Sequence, residues 1–462
     1  MNQKVIIIGA GVSGLSTAAL LTKEEISVHI YEKSSKVGGR TSSMTYKNHI
    51  LDNGFHIMPF YKKSAVYEIL KEVGIISQLK LAKVFDIAFF QDKKFFRYPK
   101  GITDILKMSI VPFRSRIQLL RTLTPMAFSS IKKSEELDNT PLTRIMEKFD
   151  EHTRKFFDAV CMLAFADVPE HVSLGEFVRT IIRANPFKGG TSEFAYPSDG
   201  GYDQISKLLS SYLQKNGVKI ELNNSIKKIV VENCKVKGII TKDDEFVASN
   251  CVVVSHPAYL AINQLFDKDV FEKSFVDKVN RLNKTTSVVE VHFCLSKQID
   301  TRQVVFPVGK DIAAKGIFFI TNITSSVSPP GEHLIMSGTP VESQVVDNPA
   351  EIKRIIEKMK VEISEIYPDF QESLLWEKPM AWKLVEAVVK EPGLVWKQKM
   401  PHQIPEIEGL FFIGDSTVSY GIGTDSAAHS SILCHPKIMS YLKQTRLLLA
   451  QRFGLDAKFL RI

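Results

Sequence analysis

The feature that most constrains this chain is a glycine-rich turn set between an apolar strand and an apolar helix. Lys4-Val-Ile-Ile-Ile8 runs directly into Gly9-Ala-Gly11-Val-Ser-Gly14, followed by Leu15-Ser-Thr-Ala-Ala-Leu-Leu. Four consecutive β-branched residues suit a parallel strand covered on both faces. In such a unit Gly9 permits the tight turn, Gly11 lets the backbone approach a pyrophosphate, and Gly14 lets the helix pack closely on the strand. The amides of Val12 and Ser13, at the positive end of the helix dipole, then face the phosphates. The second strand, Ser27-Val-His-Ile-Tyr31, ends at Glu32, 18 residues after Gly14, with Lys33 next. A carboxylate there can accept both hydroxyls of an adenosine ribose and repels a 2′-phosphate, which disfavours NADP. Strand, turn, helix and acid together indicate a dinucleotide site rather than a turn alone.

The chain has 462 residues, too many for one hydrophobic core, so two domains or one elaborated fold are expected. Apolar residues at 44% and charged residues at 24% exclude a disordered or collagen-like chain. Five separated cysteines (Cys161, Cys234, Cys251, Cys294 and Cys434) contain no C-x-x-C pair. No disulfide framework or zinc site follows from that spacing, and a reducing compartment fits best. The uncharged stretch from Val5 to Thr22 nears a spanning length, but its glycines and hydroxyls favour strand, turn and helix; His256-Pro257 interrupts the stretch from Ser249 to Phe266. No signal peptide fits, so the expected location is cytoplasmic, with peripheral membrane attachment as the alternative.

Val37-Gly38-Gly39-Arg40-Thr41 and Leu51-Asp-Asn-Gly54-Phe55-His56 follow the acid. Near the other end, Gly409-Leu-Phe-Phe-Ile-Gly414-Asp415 leads through Gly421-Ile-Gly423 into a helix with Thr424 or Asp425 as its expected N-cap. These segments resemble the flavin-containing amine oxidoreductase superfamily, which includes amine oxidases, protoporphyrinogen oxidases and carotenoid desaturases. The resemblance implies FAD as cofactor, with Arg40 near its phosphate and ribityl portion and Asp415 holding a ribityl hydroxyl. The helix start at Gly423, Thr424 and Asp425 would face the pyrimidine edge of the flavin. It further implies that Gly38, Gly39, Thr41, Phe55, His56, Gly414 and the backbone of Ile226 contribute to the same site. Beyond Asp425 the resemblance weakens, because Cys434-His435-Pro436 should kink or stop the helix near His435.

Pro197-Ser-Asp-Gly-Gly201 precedes a helical stretch from Tyr202 to Lys215 and strand-like runs from Val218, Ser225, Val236 and Cys251. The expected fold is therefore α/β: a Rossmann-like FAD domain of discontinuous segments (1–60, 196–265 and 400–442) and an α+β substrate domain (61–195 and 266–399), then a basic tail (443–462). No second G-x-G-x-x-G stands between strand and helix, so oxygen, a quinone or another carrier would reoxidise the flavin.

Gly54-Phe-His56-Ile-Met-Pro-Phe-Tyr61 and the following helix most resemble carotene desaturases and squalene-associated enzymes. A rough alignment puts Ser287 where amine oxidases carry a lysine, with Lys284 three residues away, which counts against amine oxidation. Charge adds an independent clue. From Lys93 to Lys133 stand ten basic residues and one acid, Asp104, a net of +9 that equals the formal charge of the whole chain. Arg114, Gln118 and Arg121 take one side of a helical wheel, and Ile117, Leu119, Leu120 and Leu123 the other. Basic, amphipathic and aromatic together suit an anionic lipid surface, with a solvated helix face as the plain alternative. No nucleic-acid module accompanies the charge. The expected activity is desaturase-like oxidation of an apolar isoprenoid or polyene, by hydride transfer to flavin N5. The alternatives are an amine or protoporphyrinogen oxidase, a non-redox flavin isomerase or mutase, and a binding protein of the Rab GDP-dissociation inhibitor type. No catalytic base is assigned; His56, Glu290 and His292 qualify by residue type alone.

Overall fold

The computed structural model describes residues 4–54, 56–185, 193–309 and 311–453. Its organising layer is a five-stranded parallel sheet in the order Lys219–Glu221, Ser27–Tyr31, Lys4–Ile8, Val252–Val254 and Leu410–Phe412. The register pairs Ile6 with His29 on one side and with Val252 on the other. Successive side chains leave a strand on opposite faces, and here both faces are apolar. Val5 and Ile7 join the core beneath the first helix, Val12–Lys23, while Ile6 and Ile8 join a second core with Ile229, Ile262 and Phe412. The chain thus enters this sheet near its start, at its middle and near its end.

A small antiparallel sheet (Ile226–Glu232, Lys235–Thr241 and Phe246–Ala248) sits beside it. The other large layer is a seven-stranded sheet in which the long strand Ser287–Leu295, second from one edge, is flanked by Leu374–Trp382 and His333–Val341. All its pairings are antiparallel except Ile87–Gln91 with Val304–Pro307. Helices from the 102–184 region, including Phe113–Ala127, Glu151–Phe165 and Leu174–Ala184, add to the same core as the first helix.

The C-terminal helix corrects one expectation. It runs unbroken from Gly423 to Phe453, with Pro436 inside it. Pro436 lies on the exposed face, where the carbonyl that lost its partner can bind water, while Ala428, Ser431, Cys434, Ile438 and Leu442 recur on the buried face. Packing of that face against the first helix outweighs the local cost of the proline. Among the described residues no helix is long and apolar enough to cross a membrane.

Candidate functional site

The glycine turn is held by close contacts at two glycines. Gly9 has φ +102°, a left-handed value that glycine tolerates best. A Cβ on Gly14 would stand 2.0 Å from the Gly9 carbonyl oxygen, so the helix can approach this turn only as glycine. Gly11 differs: a Cβ there would meet nothing within 4 Å, and no side chain caps the helix that starts beside it. The amides of Val12 and Ser13 therefore sit in the uncapped first turn, next to open space. Such a set of donors fits a pyrophosphate.

Glu32 is buried and oriented by the backbone: Oε2 accepts from Ala10 N at 2.7 Å and Oε1 from Ser34 N at 2.8 Å. Each carboxylate oxygen keeps a further lone pair for a ribose hydroxyl. Lys33 beside it is exposed. Asn224 N donates to the Glu32 carbonyl at 2.8 Å, which brings the segment leading into Ile226 to the same edge. The Gly-Gly-Arg segment lies against the turn through a Gly11–Gly38 bridge, with Gly38 N donating to Ala10 O. Thr41 Oγ1 closes that segment by donating to Gly38 O.

The distant Gly-Asp segment reaches the same place. Gly414 N donates to Ser430 Oγ, and Ser431 Oγ donates to the Ser13 carbonyl at 3.0 Å. Arg40 and Asp415 form a two-pronged ion pair with N···O distances of 2.8 and 2.6 Å, and Asp415 also accepts from Ala387 N. Burial pushes the Asp415 carboxyl up, but the Arg40 guanidinium outweighs it and holds the group well below the usual carboxylate range. The pairing of these two residues was not foreseen: the expectation treated them as separate contacts. Beneath Asp415, Lys399 Nζ donates to its carbonyl and to Ser419 Oγ, and burial, then Lys390, pushes that ammonium down to about 7.

The start of the C-terminal helix also departs from expectation. Asp425 does not serve as a local N-cap. Its carboxylate accepts from Ala65 N at 2.7 Å and pairs with Arg183, binding two other elements to this helix. Glu386, which the sequence did not single out, takes the amide of Gly423 at 2.6 Å and pairs with Lys390. Thr424 Oγ1 meets Tyr202 Oη at 2.9 Å. Phe55 lies outside the described residues.

Beyond this crevice lies a cavity of about 310 Å³. Val385 joins the two, since its carbonyl accepts from Arg40 and its side of the chain lines the cavity. Gly54, His56, Glu290 and Thr424 stand at one end of the lining; Phe156, Phe177, Phe306 and Met336 form apolar wall; Ile105, Leu119 and Leu123 of the basic segment also line it. The His56 ring stacks on Tyr202, with its Nε2 against Asn53 O at 2.9 Å. Glu290 is buried, and its Oε1 accepts from both Trp382 Nε1 at 2.7 Å and Gly54 N at 3.0 Å. Burial dominates those bonds and pushes its carboxyl up to about 7. His292 does not line the cavity: it is buried against the Asp52 carbonyl, and burial pushes it down to about 4.

The amine-oxidase comparison is also revised. Thr286, Val288 and Glu290 line the cavity, so Ser287 points to the opposite face of its strand. Lys284 is exposed and pairs with Glu391.

A nucleotide-type crevice that meets an apolar cavity is the arrangement expected of a flavoprotein oxidoreductase. The profile of the family described as flavin containing amine oxidoreductase matches residues 12–434, and the chain belongs to that family. It is an FAD-dependent oxidoreductase. It is similar to hydroxysqualene dehydroxylase of Zymomonas mobilis subsp. mobilis, 24% identical over 71% of this chain and 77% of that protein. It is equally identical, at 24%, to phytoene desaturase of Fusarium fujikuroi over 64% of this chain, although the match spans only 56% of that relative. The crystal structure of an oxidoreductase from Methanosarcina mazei superposes with a TM-score of 0.75 at 22% identity, covering 93% of this chain and 99% of that one. At that identity the likeness concerns the fold.

Proposed function

We propose that this oxidoreductase desaturates an apolar isoprenoid or polyene drawn into the cavity beside Glu290. The observation that carries the reading is the cavity itself: a largely apolar space with the Glu290 carboxylate and His56 in its wall. A small, cationic amine would gain little from such walls, whereas each buried methylene of a hydrocarbon contributes about 0.8 kcal/mol. Names of relatives at 24% identity point the same way.

Val12, Ser13 and the turn glycines would hold the FAD pyrophosphate and Glu32 the adenosine ribose, with Lys33, Thr41, Ile226 and Gly414 along its length. Arg40 and Asp415 would bind as a pair toward the ribityl portion. FAD, when bound, would supply the two-electron acceptor for an allylic hydride, and the chain would have to receive the proton lost from the neighbouring carbon as a C=C bond forms. Oxygen or a quinone would serve as the final acceptor. Glu290 is the group suited to receive the proton. Its Oε1 is occupied by two donors, Oε2 accepts none among the described residues, and a carboxyl titrating near 7 can carry a proton in either direction.

The same reading assigns the outer end of the cavity to a membrane surface. Phe113 and Phe128 stand exposed at 65% and 58% at the two ends of the Phe113–Ala127 helix, with Arg114 and Arg121 exposed between them. Leu119 and Leu123 of that helix line the cavity, so a lipid-dissolved substrate could enter without crossing water. Lipid extracts from cells with and without the protein should differ in the polyene absorption and mass of an isoprenoid, and the difference should vanish with Glu290→Gln. Unchanged isoprenoids, or hydrogen peroxide release with an amine or porphyrinogen instead, would overturn the desaturase reading.

A further inference from the structure

We propose that His49 Nε2, Cys294 Sγ and a Glu332 carboxylate oxygen form a binding site for one divalent metal ion of the zinc class, with water as the fourth ligand. The three residues come from separate elements. His49 opens the strand His49–Asp52, Cys294 lies near the end of Ser287–Leu295, and Glu332 precedes His333–Val341. Sheet register places Cys294 opposite Leu334 and Leu295 opposite His333, which brings Glu332 to the end of the cysteine strand. The contacts close a triangle: Nε2 to Sγ at 3.3 Å, Sγ to Oε2 at 3.1 Å, and Nε2 to Oε2 at 3.2 Å.

The geometry of this triangle suits a cation. His49 Nδ1 lies 2.7 Å from the Lys47 carbonyl, which can only accept, so Nδ1 carries a hydrogen and Nε2 is the ring atom turned toward Cys294 and Glu332. Second-sphere fixing of this kind is what metal-bound histidines usually have. The Glu332 carboxylate oxygen and the Cys294 sulfur complete a set of three ligand-type atoms facing one another. Lys47 does not fill the role, because its ammonium stands over the Tyr46 and Trp376 rings, 5.8 and 5.9 Å from their centroids. Trp376 also packs edge-on against the imidazole, with ring centres 4.9 Å apart.

The donor set and its size select the ion. Imidazole, thiolate and carboxylate suit zinc or a neighbouring transition metal, not magnesium or calcium. Tetrahedral bonds of about 2.0–2.3 Å would hold ligand atoms about 3.3–3.6 Å apart, so these three need to move outward by only a few tenths of an ångström. His49 and Cys294 are buried, whereas the Glu332 side chain is 35% exposed and gives the ion its route in. Binding displaces the thiol proton to solvent and involves no change in oxidation state. The ion would tie the hairpin that leads into Asp52 and Gly54 to the long strand carrying Glu290, fastening two walls of the flavin site together. No linear motif announces the site, because its ligands stand at positions 49, 294 and 332.

The test uses the full-length flavoprotein, treated with chelator, equilibrated with zinc chloride, desalted and assayed for metal per chain. Wild type and Cys234→Ser, which removes the exposed cysteine, should each retain about one zinc. Cys294→Ser and Glu332→Gln should bind it at least about tenfold more weakly. Cobalt(II) should give a difference spectrum with a thiolate-to-metal charge-transfer band in wild type that is missing in Cys294→Ser. Retained flavin shows that each variant is folded, and Glu332→Gln, altered at the exposed ligand, keeps the test open should Cys294→Ser misfold. Failure to retain zinc, equal retention by folded Cys294→Ser and wild type, or cobalt binding without the band would overturn the proposal.

Discussion

Replacing Glu290 by glutamine keeps an acceptor for Gly54 N and Trp382 Nε1 while removing the proton equilibrium. In the native protein this carboxyl is raised from 4.5 to about 7, with burial as the main cause. Between those values the folded state holds a proton that the unfolded state has released, so stability falls as pH rises through this window and levels off above it. The contribution is on the order of 3 kcal/mol. Denaturant titrations at several pH values should show that slope in wild type and a flatter one in Glu290→Gln; equal slopes would dismiss Glu290 as the group responsible. Asp415→Ala should act differently. It leaves the Ala387 amide without its acceptor, a loss of about 1–3 kcal/mol, and separates Arg40 from its partner, so flavin content of the purified protein should drop as well. Single residues of this kind were only partly legible. Glu32 announced itself through its distance from a glycine turn, and Asp415 through the strand before it. Glu386 and Lys399 gave no signal, because their environment is set by contacts across folded space and not by neighbours in sequence.

At the level of elements, the glycine turn and the last helix behave oppositely under substitution. Gly14→Ala puts a methyl group into the Gly9 carbonyl, so it should lower stability by about 1–3 kcal/mol and release flavin. Gly11→Ala places its methyl in open space and should change stability by less than about 0.5 kcal/mol while still weakening flavin retention. Comparing unfolding midpoints with bound flavin for the two variants distinguishes a packing role from a ligand-facing one. The helix Gly423–Phe453 is the instructive misreading. A local rule has it kink or stop near His435, and the structure rules out the stop by carrying the helix through Pro436 on the solvent side. Pro436→Ala should therefore add about 1–3 kcal/mol in thermal or denaturant unfolding without altering flavin content. Strands buried on both faces were easy to read, and Lys4–Ile8 and Ser27–Tyr31 have the limits that their residues suggest. Helix ends depend on tertiary packing, which local propensity does not contain.

For the molecule as a whole, the basic segment sets the prediction. Arg116 is tied to the carbonyls of Val111 and Leu106, so reversing its charge would disturb the fold as well as the surface. Arg114→Glu with Arg121→Glu leaves those bonds intact. The double variant should lose sedimentation with anionic vesicles but not its flavin, and undiminished sedimentation would remove the case for lipid docking. The interleaved parallel sheet has a consequence during synthesis. Val252–Val254 and Leu410–Phe412 complete a layer begun at Lys4. A ribosome adding about 5–20 residues per second needs roughly 12–50 s to add the roughly 245 residues between Lys4–Ile8 and its second neighbour, Val252–Val254. For that interval the nascent Val-Ile-Ile-Ile segment has no permanent partner along one flank, which makes it a ready client for chaperones and the earliest place for aggregation to begin.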